Sequence, residues 1–232
     1  ADIDGDSLGL AIDGRKVDTD KILMCGVHFM AETAKIMSPE KKIILPDFSA
    51  GCSLAESITA EDVKKLKKDN PGVPVVTYVN TSADVKAETD ICCTSANAVK
   101  IIESLNVDKV IFLPDEYLAK YVASKTNVKI ISWNGKCEVH ERFTDKEIFE
   151  LRKKYPSLKV VSHPECPPDV IKASDYTGST GSMINYVKNT EAKDIFLVTE
   201  CSMSDNIQIE NPDITTIRAT SRPKYSSMLR PL

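Results

Sequence analysis

The sequence has no hydrophobic run long enough to cross a membrane, since no apolar segment approaches the ~20 residues of a transmembrane helix. It also has no stripe of basic residues, and its net charge of -4 with a pI near 5.5 argues against a nucleic-acid-binding scaffold. Seven cysteines are present, but none forms a C-x-x-C pair. This odd number, on a chain that shows no secretory leader, predicts a cytoplasmic protein whose reduced thiols serve a metal or catalysis.

An internal repeat runs through most of the sequence. At a fixed shift of 85 positions, residues recur in identity or in chemical class, and a shorter match occurs at a shift of 88. Such self-similarity predicts related structural units in tandem, which we place at residues 1–71, 72–156 and 157–232. The clearest matches are Cys52 with Cys137, Thr59 with Thr144, Pro71 with Pro156, Asp90 with Asp175, Ser95 with Thr180 and, at the longer shift, Asp2 with Asp90 and Ser7 with Ser95.

Short β-branched apolar runs alternate with helical patterns along the chain. Runs of this length, bounded by Pro, Asp or Asn, are typical of buried parallel strands. Helices are clearest after Thr59 and Thr144, where a capping signature opens each pattern and a proline follows its end. The sequence therefore predicts an α/β fold of similar small three-layer domains with parallel sheets. The predicted strands are Ile22–Val27, Lys42–Leu45, Val73–Val79, Val110–Leu113, Val128–Ile131, Leu158–Val161, Ile195–Val198 and Ile214–Ile217.

Hydroxyl residues recur at one position of the repeat. Ser7, Ser95 and Thr180, the last with Ser179 beside it, each stand where a helical pattern begins. A hydroxyl and free backbone N–H groups at a helix N-terminus bind carboxylate or phosphate well. A single serine there is usually a plain N-cap, but three at equivalent positions favour a pocket for a small molecule with several negative charges.

Other polar candidates follow predicted strands. His163 and Glu165 follow one strand directly, Tyr78 and Asn80 stand at the matching place 85 positions earlier, and His140 follows the second cysteine loop. A histidine and a glutamate within one cleft are the usual general acid and base pair. The alternative is that each is an ordinary hydrogen-bonded group of the core or of a loop.

The cysteines divide into two groups. Cys52 and Cys137 lie in equivalent polar loops, and soft thiolate ligands point to zinc or to an iron–sulfur cluster. Equivalent residues in a closed ring of units would face one axis, where cysteines of different units can share one metal. For the other cysteines, we predict that Cys25, Cys92 and Cys93 are small buried hydrophobic residues. The roles of Cys166 and Cys201 are left open.

Several strings of residues, in order along almost the whole chain, resemble the quinolinate synthase family. The resemblance implies three similar α/β domains around a pseudo-threefold axis, with an oxygen-sensitive [4Fe-4S] cluster held by one cysteine from each domain. It also implies condensation of iminoaspartate with dihydroxyacetone phosphate to quinolinate for NAD biosynthesis, with the unique iron as a Lewis acid in dehydration. The strings are Gly5–Leu8, Gly26–Glu32, Pro46–Asp47 with Ala50–Cys52, Tyr78–Asn80, Thr94–Val99, His163–Cys166 and Gly178–Gly181.

The resemblance assigns roles to residues that the repeat and the strand ends had already singled out. Cys52 and Cys137 match two cluster ligands. The resemblance also implies a functional link with the enzyme that produces iminoaspartate. It implies no nucleic-acid partner and no membrane partner. The matched catalytic positions are Tyr78, His140, His163 and Glu165, and the matched substrate-binding positions are Ser7, Asn80, Ser95, Ser179 and Thr180.

The sequence departs from the family pattern at both ends. The family begins with a strand that carries a catalytic His and Tyr, and this sequence starts after it. A third cluster cysteine should follow an Arg-Pro pair, but Arg222 and Pro223 are followed by Lys224. Three interpretations are open: residues are missing from the ends, which we favour, or the cluster uses two thiolates, or no cluster binds.

Two other functions fit parts of the sequence. One is an inactive three-unit protein that binds dicarboxylates or phosphorylated metabolites, which would need the hydroxyl residues but no metal. The other is a zinc hydrolase that uses Cys52 and Cys137 as ligands. Visible absorption from thiolate-to-iron charge transfer in anaerobically purified protein separates these alternatives from a cluster enzyme.

Overall fold

A computed structural model describes residues 1–217 of the chain. The chain divides into two compact units, Ala1–Gly135 and a second unit that begins at Lys136. All strand pairs in the described residues are parallel, and helices connect the strands, which confirms the predicted α/β class. Within those residues no helix combines the length and the apolar character needed to span a bilayer.

The first unit opens with a small two-stranded parallel sheet, in which Lys21 pairs with Lys42. The first two helices of the unit pack against each other. The core beside them is made of small and flexible apolar side chains such as Ala11, Met24 and Leu45. The side chain of Asp6 caps the first helix by accepting a hydrogen bond of 2.7 Å from the N–H of Gly9. The elements are α1 (Ser7–Lys16), β1 (Lys21–Leu23), α2 (His28–Met37) and β2 (Lys42–Ile44).

A four-stranded parallel sheet follows in the same unit. Its strand order is β4-β3-β5-β6, so the two inner strands β3 and β5 are buried while β4 and β6 form the edges. Val75 and Ile111 of the inner strands contribute to a core that is completed by Val63 of the preceding helix. The elements are α3 (Ala60–Asp69), β3 (Val75–Tyr78), α4 (Ala83–Ala87), β4 (Ile91–Cys93), α5 (Ala98–Ser104), β5 (Lys109–Leu113), α6 (Glu116–Ala123) and β6 (Lys129–Ser132).

The second unit contains another four-stranded parallel sheet, in the order β8-β7-β9-β10. Its inner strands β7 and β9 are again buried, and Val161 and Leu197 pack with Met183 of the crossover helix. The elements are α7 (Asp145–Lys154), β7 (Lys159–Ser162), α8 (Pro168–Ala173), β8 (Tyr176–Thr177), α9 (Thr180–Asn189), β9 (Asp194–Val198), α10 (Ser202–Glu210) and β10 (Thr215–Ile217).

The two four-stranded sheets repeat each other at the shift of 85 positions. The bounds of α3 map onto those of α7, and the bounds of β5 map onto those of β9. The strand orders are also the same when each strand is replaced by its counterpart. The sequence repeat is therefore a repeat of structure, while the predicted boundaries at residues 71 and 156 and the threefold arrangement stay predictions.

An aspartate makes the same hydrogen bond to the start of an inner strand in both four-stranded sheets. The Asp90 carboxylate accepts a hydrogen bond of 2.7 Å from the N–H of Val75, and Asp175 accepts one of 2.8 Å from Val160. Each carboxylate also pairs with a cation from the preceding helix, at 3.1 Å in the first sheet and, through Arg152, at 2.7 Å in the second. Each aspartate thus ties an edge strand and a helix to the start of an inner strand.

Most local predictions from the sequence are confirmed. Thr59 and Thr144 are the N-caps of α3 and α7, and each of the eight predicted strands overlaps a strand of the structure, although β1 ends at Leu23 rather than at Val27. The edge strands β4 and β8 were not predicted, because they have only three and two residues. Of the cysteines expected to be buried, Cys93 is buried, but the prediction is wrong for Cys25 and Cys92, which are exposed.

Candidate active site and metal centre

The first cysteine loop follows β2 in the first unit. Its start is fixed by the Asp47 carboxylate, which accepts hydrogen bonds from the N–H and the hydroxyl of Ser49 at 2.8 and 2.7 Å. Cys52 is only 5% exposed, and its carbonyl accepts a hydrogen bond of 2.9 Å from the N–H of Glu56. The Glu56 carboxylate packs close to Gly51, since a Cβ at this position would lie 2.1 Å from Glu56 Oε1 and the glutamate side chain would have to move.

The second cysteine loop has the same local structure in the second unit. The carbonyl of Cys137 accepts a hydrogen bond of 3.0 Å from the N–H of Glu141, as Cys52 does from Glu56. A 3₁₀ turn follows each cysteine, at Ala55–Ser57 in the first loop and at His140–Arg142 in the second. Both cysteines are buried and neither is in a disulfide, so two equivalent loops each present one reduced thiol.

Three buried side chains converge in the second unit. Cys137 Sγ, one ring nitrogen of His140 and one carboxylate oxygen of Glu165 all lie within 4.8 Å of one another. His140 comes from the 3₁₀ turn after Cys137, and Glu165 comes from the loop that follows β7. The three residues are between 3% and 8% exposed, so this cluster is shielded from water.

His140 is held between two oxygen atoms. Its Nδ1 lies 3.2 Å from Glu165 Oε2, and its Nε2 lies 3.0 Å from the hydroxyl oxygen of Thr199, the residue that follows β9. Among the described residues, Nδ1 makes no hydrogen bond of good geometry. The ring is therefore fixed from one side by Thr199, while Nδ1 faces the carboxylate and the thiol.

A second imidazole stacks on the first. The rings of His140 and His163 have centroids 4.9 Å apart and are inclined by 25°, and His163 Nδ1 lies 3.5 Å from Glu165 Oε1. Glu165 thus lies beside both histidines, with one oxygen near each ring. Two imidazoles and one carboxylate in a buried cluster are suited to moving protons between fixed positions.

The two histidines differ in basicity because their surroundings differ. Burial lowers the pKa of His163 to about 4, an effect that the nearby Glu165 charge only partly offsets. Burial also acts to lower the pKa of His140, but the negative charges of Cys137 and Glu165 outweigh it and hold that pKa well above its ordinary value. The pKa of His140 is therefore raised while that of His163 is lowered, although both imidazoles are buried.

Cys166, next to the cluster in sequence, is a buried residue of the protein core. Cys166 is fully buried directly after Glu165, and its Sγ lies 3.4 Å from the carbonyl oxygen of Val198. Burial raises the pKa of the Cys166 thiol to about 12, so it stays protonated at neutral pH. Its position explains how the loop after β7 is tied to the end of β9.

Comparison with known proteins identifies the family. The model of the family described as quinolinate synthetase A protein matches residues 1–230. The chain belongs to the quinolinate synthetase A family. It is 58% identical over 217 residues to a quinolinate synthase of Xylella fastidiosa (strain 9a5c), a match that covers 94% of this chain and 64% of the relative. It is 57% identical over 218 residues to quinolinate synthase 2 of Mesorhizobium japonicum, covering 94% of this chain and 67% of the relative.

A further relative gives the same result. A quinolinate synthase of Sinorhizobium fredii is 60% identical over 210 residues, which cover 90% of this chain and 58% of that relative. The chain thus spans between 58% and 67% of the length of these three relatives. The resemblance inferred from the sequence strings is confirmed at the level of the family.

In this member of the quinolinate synthetase A family, Tyr78 and Asn80 lie at the end of β3 in the first unit. Tyr78 is buried, and its carbonyl accepts a hydrogen bond of 3.1 Å from the hydroxyl of Thr81. The Asn80 Oδ1 atom is buried and has no hydrogen-bond partner among the described residues. A buried amide oxygen of this kind is available to a ligand, because an unpaired polar atom is costly to keep away from water.

The hydroxyl residues lie at or near the helix starts, as the sequence predicts, but they are not equivalent. Ser7 and Thr180 are the first residues of α1 and α9, while Ser95 lies in the turn that leads into α5. Ser179 is the N-cap of α9, and its hydroxyl accepts a hydrogen bond of 3.4 Å from the N–H of Ser182. Ser179 thus caps α9, and its substrate-binding role stays a prediction, as it does for Thr180.

The sequence analysis missed one residue of the site. Thr199 is 8% exposed and holds His140, yet nothing in the repeat singles it out, because Pro114 stands at the matching position. The available signal was its place directly after the buried strand β9, the same signal that identified His163 and Glu165 after β7. The structure thus brings together Cys137, His140, His163, Glu165 and Thr199, all in the second unit.

Proposed function

We propose that this chain carries out the quinolinate synthase reaction, the condensation of iminoaspartate with dihydroxyacetone phosphate to quinolinate in NAD biosynthesis. The observation that supports it best is the buried cluster of Cys137, His140 and Glu165 with His163 stacked on it. A reaction that loses phosphate and two waters needs groups that give and take protons at fixed places. A protein that only bound dicarboxylates would not need two buried imidazoles stacked beside a buried carboxylate.

Proton transfer is the role of the second unit in this proposal. His140, whose pKa is raised by its neighbours, is suited to protonating a leaving hydroxyl, and Glu165 is suited to accepting a proton from a substrate carbon or nitrogen. His163, with its pKa lowered by burial, is neutral and can donate or accept a hydrogen bond without adding charge. Thr199 holds the His140 ring through Nε2 and leaves Nδ1 directed toward the reacting groups.

Substrate-binding roles are proposed for residues of each unit. Asn80, with its unpaired Oδ1, and Tyr78 would hold polar groups of the substrates at the end of β3. Thr180, at the start of the ten-residue helix α9, offers a hydroxyl and backbone N–H groups to a carboxylate or phosphate. The same role is proposed for the remaining hydroxyl residues Ser7, Ser95 and Ser179.

The donor set of the two cysteine loops fits an iron–sulfur cluster. Two buried, reduced thiols in loops of identical local structure are the ligand type that iron–sulfur clusters require. We propose that Cys52 and Cys137 hold a [4Fe-4S] cluster, which when bound supplies a Lewis-acid iron for dehydration. The predicted place of a third ligand, near Arg222–Lys224, lies outside the described residues.

The test of this function is product formation by the full chain. Anaerobically purified protein with reconstituted iron and sulfide is mixed with dihydroxyacetone phosphate and freshly generated iminoaspartate, and quinolinate is quantified by mass spectrometry. Quinolinate above the level given by a Glu165→Gln variant is the expected result. A wild-type chain that takes up iron and sulfide but yields no more quinolinate than this variant would contradict the proposal.

A further inference from the structure

The cluster in the second unit is complete as a set of metal ligands without any residue of the first unit. It offers one thiolate, one imidazole nitrogen and one carboxylate oxygen, the three donor types most often found on zinc. A tetrahedral zinc ion with bonds of about 2.0–2.3 Å separates its donors by roughly 3.3–3.6 Å. His140 Nδ1 and Glu165 Oε2 are already 3.2 Å apart, and every donor pair lies within 4.8 Å, so shifts of about an ångström close the site.

A second observation points to a ligand at the same place. His140 is buried, yet its Nδ1 has no hydrogen bond of good geometry among the described residues. Its other nitrogen is held at 3.0 Å by the Thr199 hydroxyl, which orients the ring so that Nδ1 faces Cys137 and Glu165. Histidines that bind metals are commonly oriented in this way through the nitrogen that does not touch the metal.

Charge balance favours a divalent ion. As metal ligands, the Cys137 thiolate, the Glu165 carboxylate and a His140 imidazole that has given up its extra proton carry two negative charges, which one divalent cation neutralises in this buried site. Thiolate and imidazole donors exclude magnesium and calcium, which take oxygen ligands, and favour zinc or cobalt.

We propose that Cys137, His140 and Glu165 form a mononuclear zinc site in the cluster-free protein, braced by Thr199. The same thiolate cannot bind this ion and a cluster at once, so zinc at this site opposes cluster assembly. The proposal does not rest on the quinolinate synthase reaction, because it depends only on three side chains of the second unit.

Cobalt(II) is the probe, because its visible spectrum reports both the geometry and a bond to thiolate. The full 232-residue chain is prepared reduced and cluster-free and is titrated with Co²⁺ under anaerobic conditions. We expect one ion per chain, with absorption typical of tetrahedral cobalt bound to a thiolate, and loss of this absorption when Zn²⁺ is added. Octahedral cobalt without a thiolate band would overturn the proposal.

Variants separate this site from a cluster site. Cys137→Ser, His140→Gln and Glu165→Gln should each weaken cobalt binding by at least tenfold, and Thr199→Val should weaken it by about 10- to 100-fold, with Thr199→Ser restoring it. Cys52→Ala is the matched control, because it removes the equivalent thiol of the first unit and should leave cobalt binding unchanged. If Cys52→Ala weakens binding as much as Cys137→Ser, or if both His140→Gln and Glu165→Gln bind as wild type does, the proposal is wrong. Circular dichroism checks that each variant is folded.

The competition is tested with iron. Zinc added before iron and sulfide should reduce cluster absorption in the wild-type chain but not in His140→Gln, which keeps both loop cysteines. Equal inhibition of the two proteins would contradict a site at His140. A wild-type chain that never acquires cluster absorption, while still binding cobalt as described, would refute the proposed function and leave the zinc site supported.

Discussion

Residues 52–132 and 137–217 are two copies of one structure that differ in the chemistry of their strand ends. Both copies have a buried cysteine, a 3₁₀ turn, a capped helix and a four-stranded parallel sheet in the same order. At the start of the turn and at the ends of the inner strands, however, the second copy carries two histidines, a glutamate and a threonine where the first copy carries other residues. The replacements, first copy to second, are Ala55 to His140, Tyr78 to His163, Asn80 to Glu165 and Pro114 to Thr199.

The comparison separates what the fold needs from what the site needs. The anchors that the copies share, such as Asp90 and Asp175, bind backbone N–H groups and lie at strand starts. Three of the four pairs that differ lie at the carboxyl ends of the inner strands, where open parallel sheets bind their ligands, and the fourth, Ala55 and His140, lies in the 3₁₀ turns. In our proposal, the cluster that moves protons accordingly lies in the second copy, on a scaffold that both copies share.

The largest effect is expected from making the second copy resemble the first. Glu165→Gln keeps the size of the side chain but removes its titrating group, as Asn does at the matching position 80. Turnover should fall by roughly two to four powers of ten because proton transfer is lost. Quinolinate formation measures this, and the cluster absorption serves as the control, since it should remain. Near-normal turnover, or loss of the cluster in this variant, would show that the carboxylate has another role.

Replacing the aspartate at the start of an inner strand should have the next largest effect, a loss of folding stability. The loss should be larger for Asp175 than for Asp90. Burial acts to raise the pKa of Asp175, but hydrogen bonds from Val160 and Arg152 outweigh it, so that pKa lies below its ordinary value. Asp175→Ala should lower the free energy of unfolding by about 1.5–3 kcal/mol at neutral pH. Asp90→Ala should cost less, because that side chain is 48% exposed against 21% for Asp175.

The pH dependence gives this prediction a second test. A carboxylate with a lowered pKa in the folded state stabilises the protein above its unfolded pKa of about 3.9 and loses that contribution as the pH falls through the folded value. Urea unfolding at neutral pH and below pH 4 should therefore show the Asp175→Ala defect shrinking in acid. A defect of constant size across this range would mean that the carboxylate charge is not responsible.

The hydroxyl residues should affect binding rather than folding. Ser95→Ala or Thr180→Ala removes a hydrogen bond of roughly 1.5–3 kcal/mol to a charged group, so quinolinate binding should weaken by about one to two powers of ten. Isothermal titration calorimetry measures the affinity, and the melting temperature is the control. Unaltered affinity with a lowered melting temperature would mean that these residues only stabilise the starts of their helices.

The smallest effect tests the equivalence of the copies most evenly. Thr59 and Thr144 cap α3 and α7 through the same hydrogen bond, 3.3 Å long in both cases. Thr59→Ala and Thr144→Ala should each cost about 1 kcal/mol of stability. Urea unfolding of both variants measures this loss of stability. A difference of more than about 1 kcal/mol between the variants would show that the two N-caps contribute unequally to stability.

The fold was largely predictable because its signals are local. Capping residues at Thr59 and Thr144, and the β-branched runs that became β3, β5, β7 and β9, determine the main elements through short-range chemistry and burial. The short edge strands β4 and β8 were missed, since two or three partly exposed residues carry no periodic pattern. The burial of Cys92 was predicted wrongly, because this residue is exposed on the edge strand β4.

The candidate site was only partly predictable, because its contacts join residues far apart in sequence. His163 and Glu165 were found from their place after a strand, but the stacking of His163 on His140 and the brace from Thr199 join three separate loops. The opposite pKa shifts of the two histidines also follow from burial and neighbouring charge, which a sequence does not contain. Whether Cys52 and Cys137 meet at one cluster stays a prediction.

The visible absorption of anaerobically purified chains tests that central prediction most directly. Wild type, Cys52→Ala, Cys137→Ala and the control Cys93→Ala, which removes a buried thiol outside the two loops, are compared at equal protein concentration with iron quantified in each. Our account predicts thiolate-to-iron charge-transfer absorption in wild type and in Cys93→Ala, and its loss in both loop variants alike. Full absorption in either Cys52→Ala or Cys137→Ala, or none in wild type after reconstitution, would contradict it.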